Sequence, residues 1–368
     1  MALTRRHSLK LLGGGAILAA TASSAAFLTT RNPTAAQRPW QAAGGYADPR
    51  AQALSYGILA PNPHNRQPWI VDLKGSDEMI IYRDMDRNLP ETDPFDRQLT
   101  IGMGCFLELT AIAAAEQGFT LDLDLFPEGD AGPVATARLI PGAAPDPLFA
   151  HILARRSCRE PFQDVALTAS EIADLSGPAQ IITDAELVAQ LRDLTFDAWM
   201  IEATTPRTHM ESVDLMRFGK AEINANPDGI SLGGALLESM MLAGMLTREG
   251  QADPTSPGFQ QGIEIYRNIL MATPAYGVIT SAGNSRLDQI QAGRDWARLN
   301  LKTTAMGLSL HPVSQALQEF DEMKAHYDRA HRLLAENGET VQMLGRLGHG
   351  PDVAAAPRWP LETVINDG

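Results

Sequence analysis

The chain has 368 residues, of which 44% are hydrophobic and 20% are charged, so it can bury one large core or two medium ones. Its formal net charge of −14, with no basic stripe to offset it, would repel a phosphate backbone and argues against nucleic-acid binding. Two cysteines, Cys105 and Cys158, are too few for a disulfide framework or a zinc site. We therefore expect two small core residues rather than a disulfide, and no metal site.

The N-terminal residues have the layout of an export signal. Arg5 and Arg6 precede an uncharged stretch, residues 11–30, that is interrupted too often by Gly, Ser and Thr for a membrane span. The twin arginine resembles the signal of the Tat route, although Ser8 replaces the usual phenylalanine; an ordinary Sec signal or an uncleaved anchor is the alternative. We predict an export signal over residues 1–36, passage through the Tat translocon and a periplasmic or otherwise exported location. Candidate cleavage positions lie near Ala25-Ala26 and near Ala35-Ala36.

The first part of the fold is predicted to alternate helices with short strands. Apolar residues at helical spacing indicate a helix over residues 48–59, which Pro61 and Pro63 stop. Gly102 and Gly104 lie inside a second predicted helix and indicate close packing, since the third glycine of a dinucleotide fingerprint is missing. The predicted elements are helices over 48–59 and 100–118, and strands over 70–73, 79–82 and 121–125.

Beyond a Pro/Gly/Ala/Asp stretch at residues 141–147, the order of elements partly repeats. The predicted elements there are strands over 275–280 and 340–347 and helices over 288–306 and 315–337. Residues 207–262 fit neither part and are expected to form a lid or a helical excursion. The pattern predicts an α+β fold of two related lobes, residues 45–145 and 147–368.

The loop at residues 60–69 is the first of three polar segments. Two prolines pin its backbone, and Asn65 and Gln67 offer amide donors and acceptors just before a strand that opens at Trp69. A turn that only caps the preceding helix is the alternative interpretation. His64, in the same loop, is a candidate proton donor, and a structural hydrogen bond is the competing role.

The second segment concentrates positive charge. Arg155, Arg156, Ser157 and Arg159 place three guanidinium groups and a hydroxyl within five residues, a typical anion receptor. A solvated basic face is the alternative, which the acidity of the rest of the chain disfavours. In the third segment, the C-terminal tail, Arg358 lies between two prolines; a plain surface arginine is the alternative there.

Together these segments resemble the nitroreductase superfamily, specifically its Acg-type members, in which two nitroreductase-like halves are fused. The family's Arg-x-Ser-x-Arg motif is similar to residues 155–159, and its Ala-Pro-Ser-x-x-Asn-x-Gln-Pro-Trp motif to residues 60–69, with Asn62 replacing the serine. Arg358 resembles the family's late arginine, and residues 307–315 resemble the turn whose backbone faces the flavin ring.

The resemblance extends over about residues 48–365 and implies a pseudo-dimer of two fused lobes around one FMN site. The order of the motifs is inverted relative to a one-lobe nitroreductase, so each lobe keeps only half of the set and the second site is lost. By this likeness, the phosphate and ribityl chain are held by Arg155, Arg156, Ser157, Cys158, Arg159 and Arg358. Asn65 and Gln67 reach the flavin from the opposite lobe, and Pro312, Ser314 and Gln315 lie near its N5.

The implied function is an exported FMN-dependent oxidoreductase that transfers hydride through flavin N5 to a small aromatic or nitro-type acceptor. The family's usual donor is NAD(P)H, which is not expected outside the cytoplasm, so either the donor differs or the export prediction is wrong. The alternative function is FMN storage or sequestration without catalysis, with residues 207–262 blocking substrates.

Overall fold

The computed structural model describes residues 30–336 and 338–366, so the twin-arginine motif and the first candidate cleavage position lie outside the described residues. The strands are β1 (Trp69–Lys74), β2 (Glu78–Arg83), β3 (Phe119–Leu125), β4 (Ala135–Pro141), β5 (Gln180–Ile182), β6 (Met216–Phe218), β7 (Ile230–Leu232), β8 (Ala275–Ser281), β9 (Ser309–Pro312), β10 (Thr340–Gly348) and β11 (Ile365–Asn366). The helices are α1 (Arg38–Ala42), α2 (Pro49–Gly57), α3 (Arg97–Glu116), α4 (Ala169–Leu175), α5 (Ala185–Thr204), α6 (Pro206–Asp214), α7 (Gly219–Ala225), α8 (Ala235–Leu242), α9 (Arg248–Ala252), α10 (Pro257–Met271), α11 (Arg286–Ala305) and α12 (Lys324–Leu334).

The first sheet has the strand order β11-β1-β2-β4-β3 and is antiparallel except at one edge. At that edge the last strand of the chain pairs in parallel with β1, so that Ile365 lies opposite Val71. The predicted strands β1, β2 and β3 are confirmed, whereas β4 and β11 were not predicted. The end of the chain is thereby attached to the sheet formed by its beginning.

The second sheet has the order β5-β8-β10-β9 and is antiparallel throughout. Alternate residues of β8 enter two different cores: Ala275 and Ile279 face the core shared with the first sheet, and Tyr276 and Val278 face a core with α5, α10 and α12. Helices and mostly antiparallel strands give an α+β fold, as predicted.

Helices α3 and α11, each of 20 residues, cross at the centre of the molecule. They approach closely because Gly104 and Gly293 face each other, and a Cβ on Gly293 would lie 2.0 Å from the carbonyl oxygen of Ile101. By length and composition α3 could span a membrane, but 83% of its apolar window is buried inside the fold. It is therefore the central core helix, and the packing role predicted for its glycines is confirmed. Cys105, also on α3, is a buried free thiol, as is Cys158.

One predicted helix is corrected by the structure. The single helix predicted over residues 315–337 is broken into two 3-10 turns and α12, because the Leu317 carbonyl accepts from buried Arg97 (2.6 Å) and Gln318 is extended (ψ 147°). Ala36, the last residue of the predicted export signal, is 3% exposed, and its carbonyl accepts from the Arg358 N–H (2.8 Å).

The irregular segment, residues 207–262, is a helical excursion. It contains α6 to α9, the start of α10 and the parallel pair β6–β7. Asp228, between α7 and β7, accepts hydrogen bonds from Arg66 (3.1 Å) and Arg217 (2.9 Å). The excursion is thus tied directly to the loop at residues 60–69.

Candidate functional site

The loop at residues 60–69 has a strained backbone. His64, Asn65 and Gln67 have φ angles of 45°, 53° and 53°, in the left-handed region that residues other than glycine rarely adopt. The Asn62 side chain holds this geometry, because its oxygen accepts from the Gln67 N–H at 2.7 Å and its amide donates to the Ala60 carbonyl at 3.1 Å. Backbone strain of this kind is concentrated at functional sites and in ligand clamps.

Two buried arginines join this loop to the other two polar segments. Arg155 donates from Nη2 to the Leu59 carbonyl (2.7 Å) and from Nη1 to Asn300 Oδ1 (2.9 Å). Arg358 donates from Nη2 to the same Leu59 carbonyl (3.0 Å) and from Nη1 to Asn65 Oδ1 (2.6 Å). The loop, the arginine segment and the tail therefore meet at one place, although they are far apart in the sequence.

The positive charge at this junction has no carboxylate counter-charge in the described part of the chain. Among the described residues, no carboxylate lies within 4.0 Å of the guanidinium nitrogens of Arg155, Arg156 or Arg358. Burial lowers the pKa of Arg155 to about 10, and burial together with the neighbouring charges of Arg155 and Arg156 lowers the pKa of Arg358 well below its ordinary value. Buried cations without a partner are costly, so the junction favours an anionic ligand.

Trp40 on α1 covers the three arginines. Its ring centroid lies 5.7 Å from the guanidinium carbon of Arg155, 4.8 Å from that of Arg156 and 5.7 Å from that of Arg358. Its Nε1 donates to the Ala356 carbonyl (2.8 Å), which fixes the ring against the tail. Sequence analysis missed Trp40 because it lies between the predicted signal and the predicted first lobe.

A cavity of about 450 Å³ lies beside this cluster. Arg358 and Trp359 line it from the tail, and Pro39 and Tyr46 line it from the N-terminal side. The Tyr46 hydroxyl donates to Glu362 (3.0 Å), and burial, followed by that carboxylate, raises the pKa of Tyr46 to about 12. Of the three arginines, Arg358 lines this cavity, so the open space adjoins the tail side of the junction.

Asn65 and Gln67 lie at the junction, but their amide groups are bonded to protein. Gln67 Oε1 accepts from the Trp359 N–H (2.9 Å), and its Nε2 donates to the Pro227 carbonyl (2.7 Å). Asn65 Nδ2 donates to the carbonyls of Pro227 (3.3 Å) and Pro357 (3.1 Å). Both residues therefore clamp the tail and the excursion onto the loop.

The remaining residues of the arginine segment diverge from the cluster. Cys158 is buried, its N–H donates to the Leu310 carbonyl (3.2 Å), and its Sγ lies 3.7 Å from the Pro351 carbonyl. Ser157 is half-buried and forms no hydrogen bond within the described chain. Arg159 is exposed, and its charge acts on buried His311 rather than on Trp40. Only Arg155 and Arg156 join Arg358 under the Trp40 ring.

The predicted ring-side residues lie at the end of β9. Pro312 closes that strand, and Ser314 and Gln315 begin a 3-10 turn, with Ser314 Oγ 3.8 Å from Met343 Sδ. Directly after the turn, Gln318 Nε2 donates to Glu202 Oε2 at 2.7 Å.

Glu202 connects this turn to the strained loop. It lies on α5 and is 7% exposed, and its Oε1 is 3.8 Å from His64 Nε2. Sequence analysis missed it, although a carboxylate within the apolar run 198–203 is a signal for a buried polar role. The loop at residues 60–69 thus contacts the arginine cluster at one end and, through Glu202, the 312–318 segment at the other.

We compared the sequence and the fold with those of known proteins. No family model matches the chain. It is 23% identical over 329 residues to provisionally named NAD(P)H nitroreductases from two strains of Mycobacterium tuberculosis, a match that covers 85% of this chain and 89% of each relative. This similarity supports the resemblance of the chain to the nitroreductase superfamily.

Solved nitroreductases are similar to this chain over part of its length. The FMN-dependent nitroreductase of Mycobacterium smegmatis, solved with NADPH, is 16% identical with a TM-score of 0.37 and covers 58% of this chain and 95% of its own. A provisionally assigned nitroreductase from Anabaena variabilis is 13% identical with a TM-score of 0.40 and covers 74% of this chain and 69% of its own.

Proposed function

We propose that the chain binds one FMN at the junction of the arginine cluster with the loop at residues 60–69 and works as an oxidoreductase of the nitroreductase type. The observation that carries this proposal is a set of three arginines, Arg155, Arg156 and Arg358, without a carboxylate partner in the described chain. Curated relatives over 85% of the chain are named as NAD(P)H nitroreductases, which supports the same reaction class.

The junction fits a phosphate monoester. The Nε atoms of Arg155 and Arg358 are buried and have no hydrogen-bond partner among the described residues. A dianion would accept from these donors and offset the mutual repulsion that lowers the pKa of Arg358. Ser157 would add a hydroxyl, whereas Cys158 and Arg159 would contribute through the backbone or at longer range.

The rest of the site would hold and shield a flavin ring. When bound, FMN supplies two-electron hydride chemistry at N5. Asn65 and Gln67 keep the loop, tail and excursion in one arrangement, and Trp40 excludes water from the arginines. The N–H groups of Ser314 and Gln315, at the start of the 3-10 turn, make no backbone hydrogen bond outside that turn and are available as donors beyond Pro312.

We further propose that residues 45–145 and 147–368 are two fused nitroreductase-like lobes, a pseudo-dimer with one retained site. The presence of two sheets, each adjoining one of the paired helices α3 and α11, supports this proposal. So does the attachment of β11 to the first sheet, which ties the end of the second lobe to the first. Fusion removes the entropy cost of bringing two subunits together.

We also propose export through the Tat translocon, with cleavage of the signal near Ala25-Ala26. Cleavage near Ala35-Ala36 would remove residues 30–36, which contact the body of the fold: the Ala36 N–H donates to Asn224 Oδ1 (3.0 Å) and Lys220 Nζ donates to the Thr30 carbonyl (2.9 Å). N-terminal sequencing of the mature protein tests this, and a start at residue 36 or 37 would contradict it.

Anaerobic stopped-flow spectroscopy of the FMN-loaded protein tests the proposed activity. Bleaching of the flavin by NADPH, followed by recovery with a nitroaromatic acceptor, is the expected result. A protein that binds FMN but is bleached by neither NADH nor NADPH would contradict the proposed activity and favour the storage alternative.

A further inference from the structure

An acid–base pair adjoins the proposed site: half-buried His64 and buried Glu202. His64 belongs to the strained loop that contacts Arg358 through Asn65, and Glu202 contacts the 312–318 segment through Gln318. The FMN-holding roles proposed above use neither side chain. Through their neighbours, the pair therefore connects the arginine cluster with the 312–318 segment.

The imidazole of His64 has one nitrogen directed at an acid and one without a partner. Its Nε2 lies 3.8 Å from Glu202 Oε1, an ion-pair distance longer than a direct hydrogen bond. Its Nδ1 is buried and has no hydrogen-bond partner among the described residues. The side chain is 16% exposed, so the ring retains limited contact with solvent. The His64 backbone has a φ of 45°, in the left-handed region.

The carboxylate of Glu202 is held in place from several sides. Gln318 Nε2 donates to its Oε2 at 2.7 Å, and Ser212 Oγ lies 3.5 Å from its Oε1. The helix carrying it is anchored at the same residue, since the Glu202 carbonyl accepts from Thr208 Oγ1 at 2.7 Å. A fixed carboxylate near one imidazole nitrogen favours one orientation of the ring, which leaves the other nitrogen free to donate a proton.

Other charged groups face this pair from the neighbouring elements. The charge of Glu202 reaches Tyr266 on α10, on which Arg159 and Arg346 also act. Next to His64 in the loop, Arg66 is paired with Asp228 at 3.1 Å. Within the described chain, Glu202 is the acid that lies within ion-pair distance of the His64 ring.

We propose that His64 is the proton donor to the acceptor in the oxidative half-reaction, and that Glu202 is the residue that positions it. This inference rests on the proposed function, which supplies a reduced flavin as the two-electron donor. For a quinone acceptor, one oxygen receives a proton from His64 Nδ1 while the ring system receives a hydride equivalent. The quinone is reduced to the hydroquinone, the flavin is oxidised, and the neutral imidazole regains its proton from water.

The test compares the two half-reactions of three variants by anaerobic stopped flow, with NADPH as donor and menadione as acceptor. His64→Asn keeps a residue that tolerates the left-handed backbone, and Glu202→Gln keeps an acceptor for Gln318. His326→Gln is the matched control, because His326 also has a buried Nδ1 without a partner but lies on α12, away from the pair.

We expect His64→Asn to slow flavin reoxidation about 100-fold, the usual contribution of general acid catalysis, and Glu202→Gln to slow it about 10-fold. Reduction by NADPH and the Kd for FMN should stay within about threefold of wild type. The slowing of reoxidation in D2O that wild type shows should disappear in His64→Asn. The His326→Gln control should leave both half-reactions unchanged.

Unchanged reoxidation in His64→Asn, or equal losses in both half-reactions, would overturn the proton-donor role. If His64→Asn does not fold, Glu202→Gln decides: slower reoxidation with normal reduction supports the pair, and a wild-type rate overturns it. Failure of the wild-type protein to bind FMN, or to be reduced by NADPH, would instead refute the proposed function on which the pair depends.

Discussion

Replacement of Arg358 by methionine should separate binding of the cofactor from stability of the fold. Arg358 is 2% exposed, donates to the carbonyls of Leu59 (3.0 Å) and Ala60 (2.9 Å), and repels Arg155 and Arg156. Without ligand, removal of an unpaired buried cation relieves repulsion, which offsets the lost hydrogen bonds, and the melting temperature should change little. With FMN, loss of a charge-assisted bond to phosphate costs about 2–4 kcal/mol, or roughly a 30- to 1000-fold rise in Kd.

The assay is fluorescence titration of the cofactor-free protein with FMN, accompanied by thermal unfolding with and without FMN. Arg138→Met is the matched control, because Arg138 lies in an exposed pair with Glu78 on the first sheet. A Kd for Arg358→Met within threefold of wild type would refute the reasoning, as would an equal loss of affinity in the Arg138 variant.

Three further predictions follow from the packing and electrostatics. Trp40→Leu should raise the Kd for FMN about 3- to 30-fold, because water would reach the arginines that the ring covers; unchanged or tighter binding in the same titration would contradict this. Gly293→Ala should lower the free energy of unfolding, measured by urea denaturation, by about 3 kcal/mol, because its Cβ would lie 2.0 Å from a backbone oxygen. Gly262→Ala on α10 has open space around it and should be neutral or stabilising by about 0.5–1 kcal/mol. Burial, followed by the charges of Arg346 and Arg159, holds the pKa of His311 well below 6.5. The contribution of His311 to the free energy of unfolding is therefore complete above pH 6.5 and falls by about 1.4 kcal/mol per pH unit below that value. His311→Asn should flatten this pH dependence in urea unfolding, and an unchanged slope would show that other groups determine it.

Local patterns predicted eight of the helices and strands in the described chain: α2, α3, α11, β1, β2, β3, β8 and β10. Helix α2 begins where Asp48 accepts from the Arg50 N–H and Pro49 occupies the first turn, and both signals are visible in the sequence. The helix predicted over residues 315–337 was wrong because contacts from distant residues, Arg97 and Glu202, determine the backbone after Leu317. Strand β11 has two residues and forms only because β1 offers it a free edge, which no local pattern could indicate.

The candidate site, like the fold, could be predicted from the sequence only in part. The arginine segment and the loop at residues 60–69 were recognisable because their chemistry is concentrated in short stretches. Their meeting point was not, since it depends on the Leu59 carbonyl, a backbone group that carries no sequence signal. Trp40 was missed because it lies between the predicted signal and the predicted first lobe, and Glu202 because its partners, His64 and Gln318, are more than 100 residues away in the sequence.

A structure of the protein crystallised with FMN tests the central claim most directly. The account predicts one FMN per chain, with its phosphate within hydrogen-bond distance of Arg155 and Arg358 and its ring extending toward Ser314 and Gln315. FMN bound elsewhere, or a protein that stays colourless after refolding with excess FMN, would contradict it.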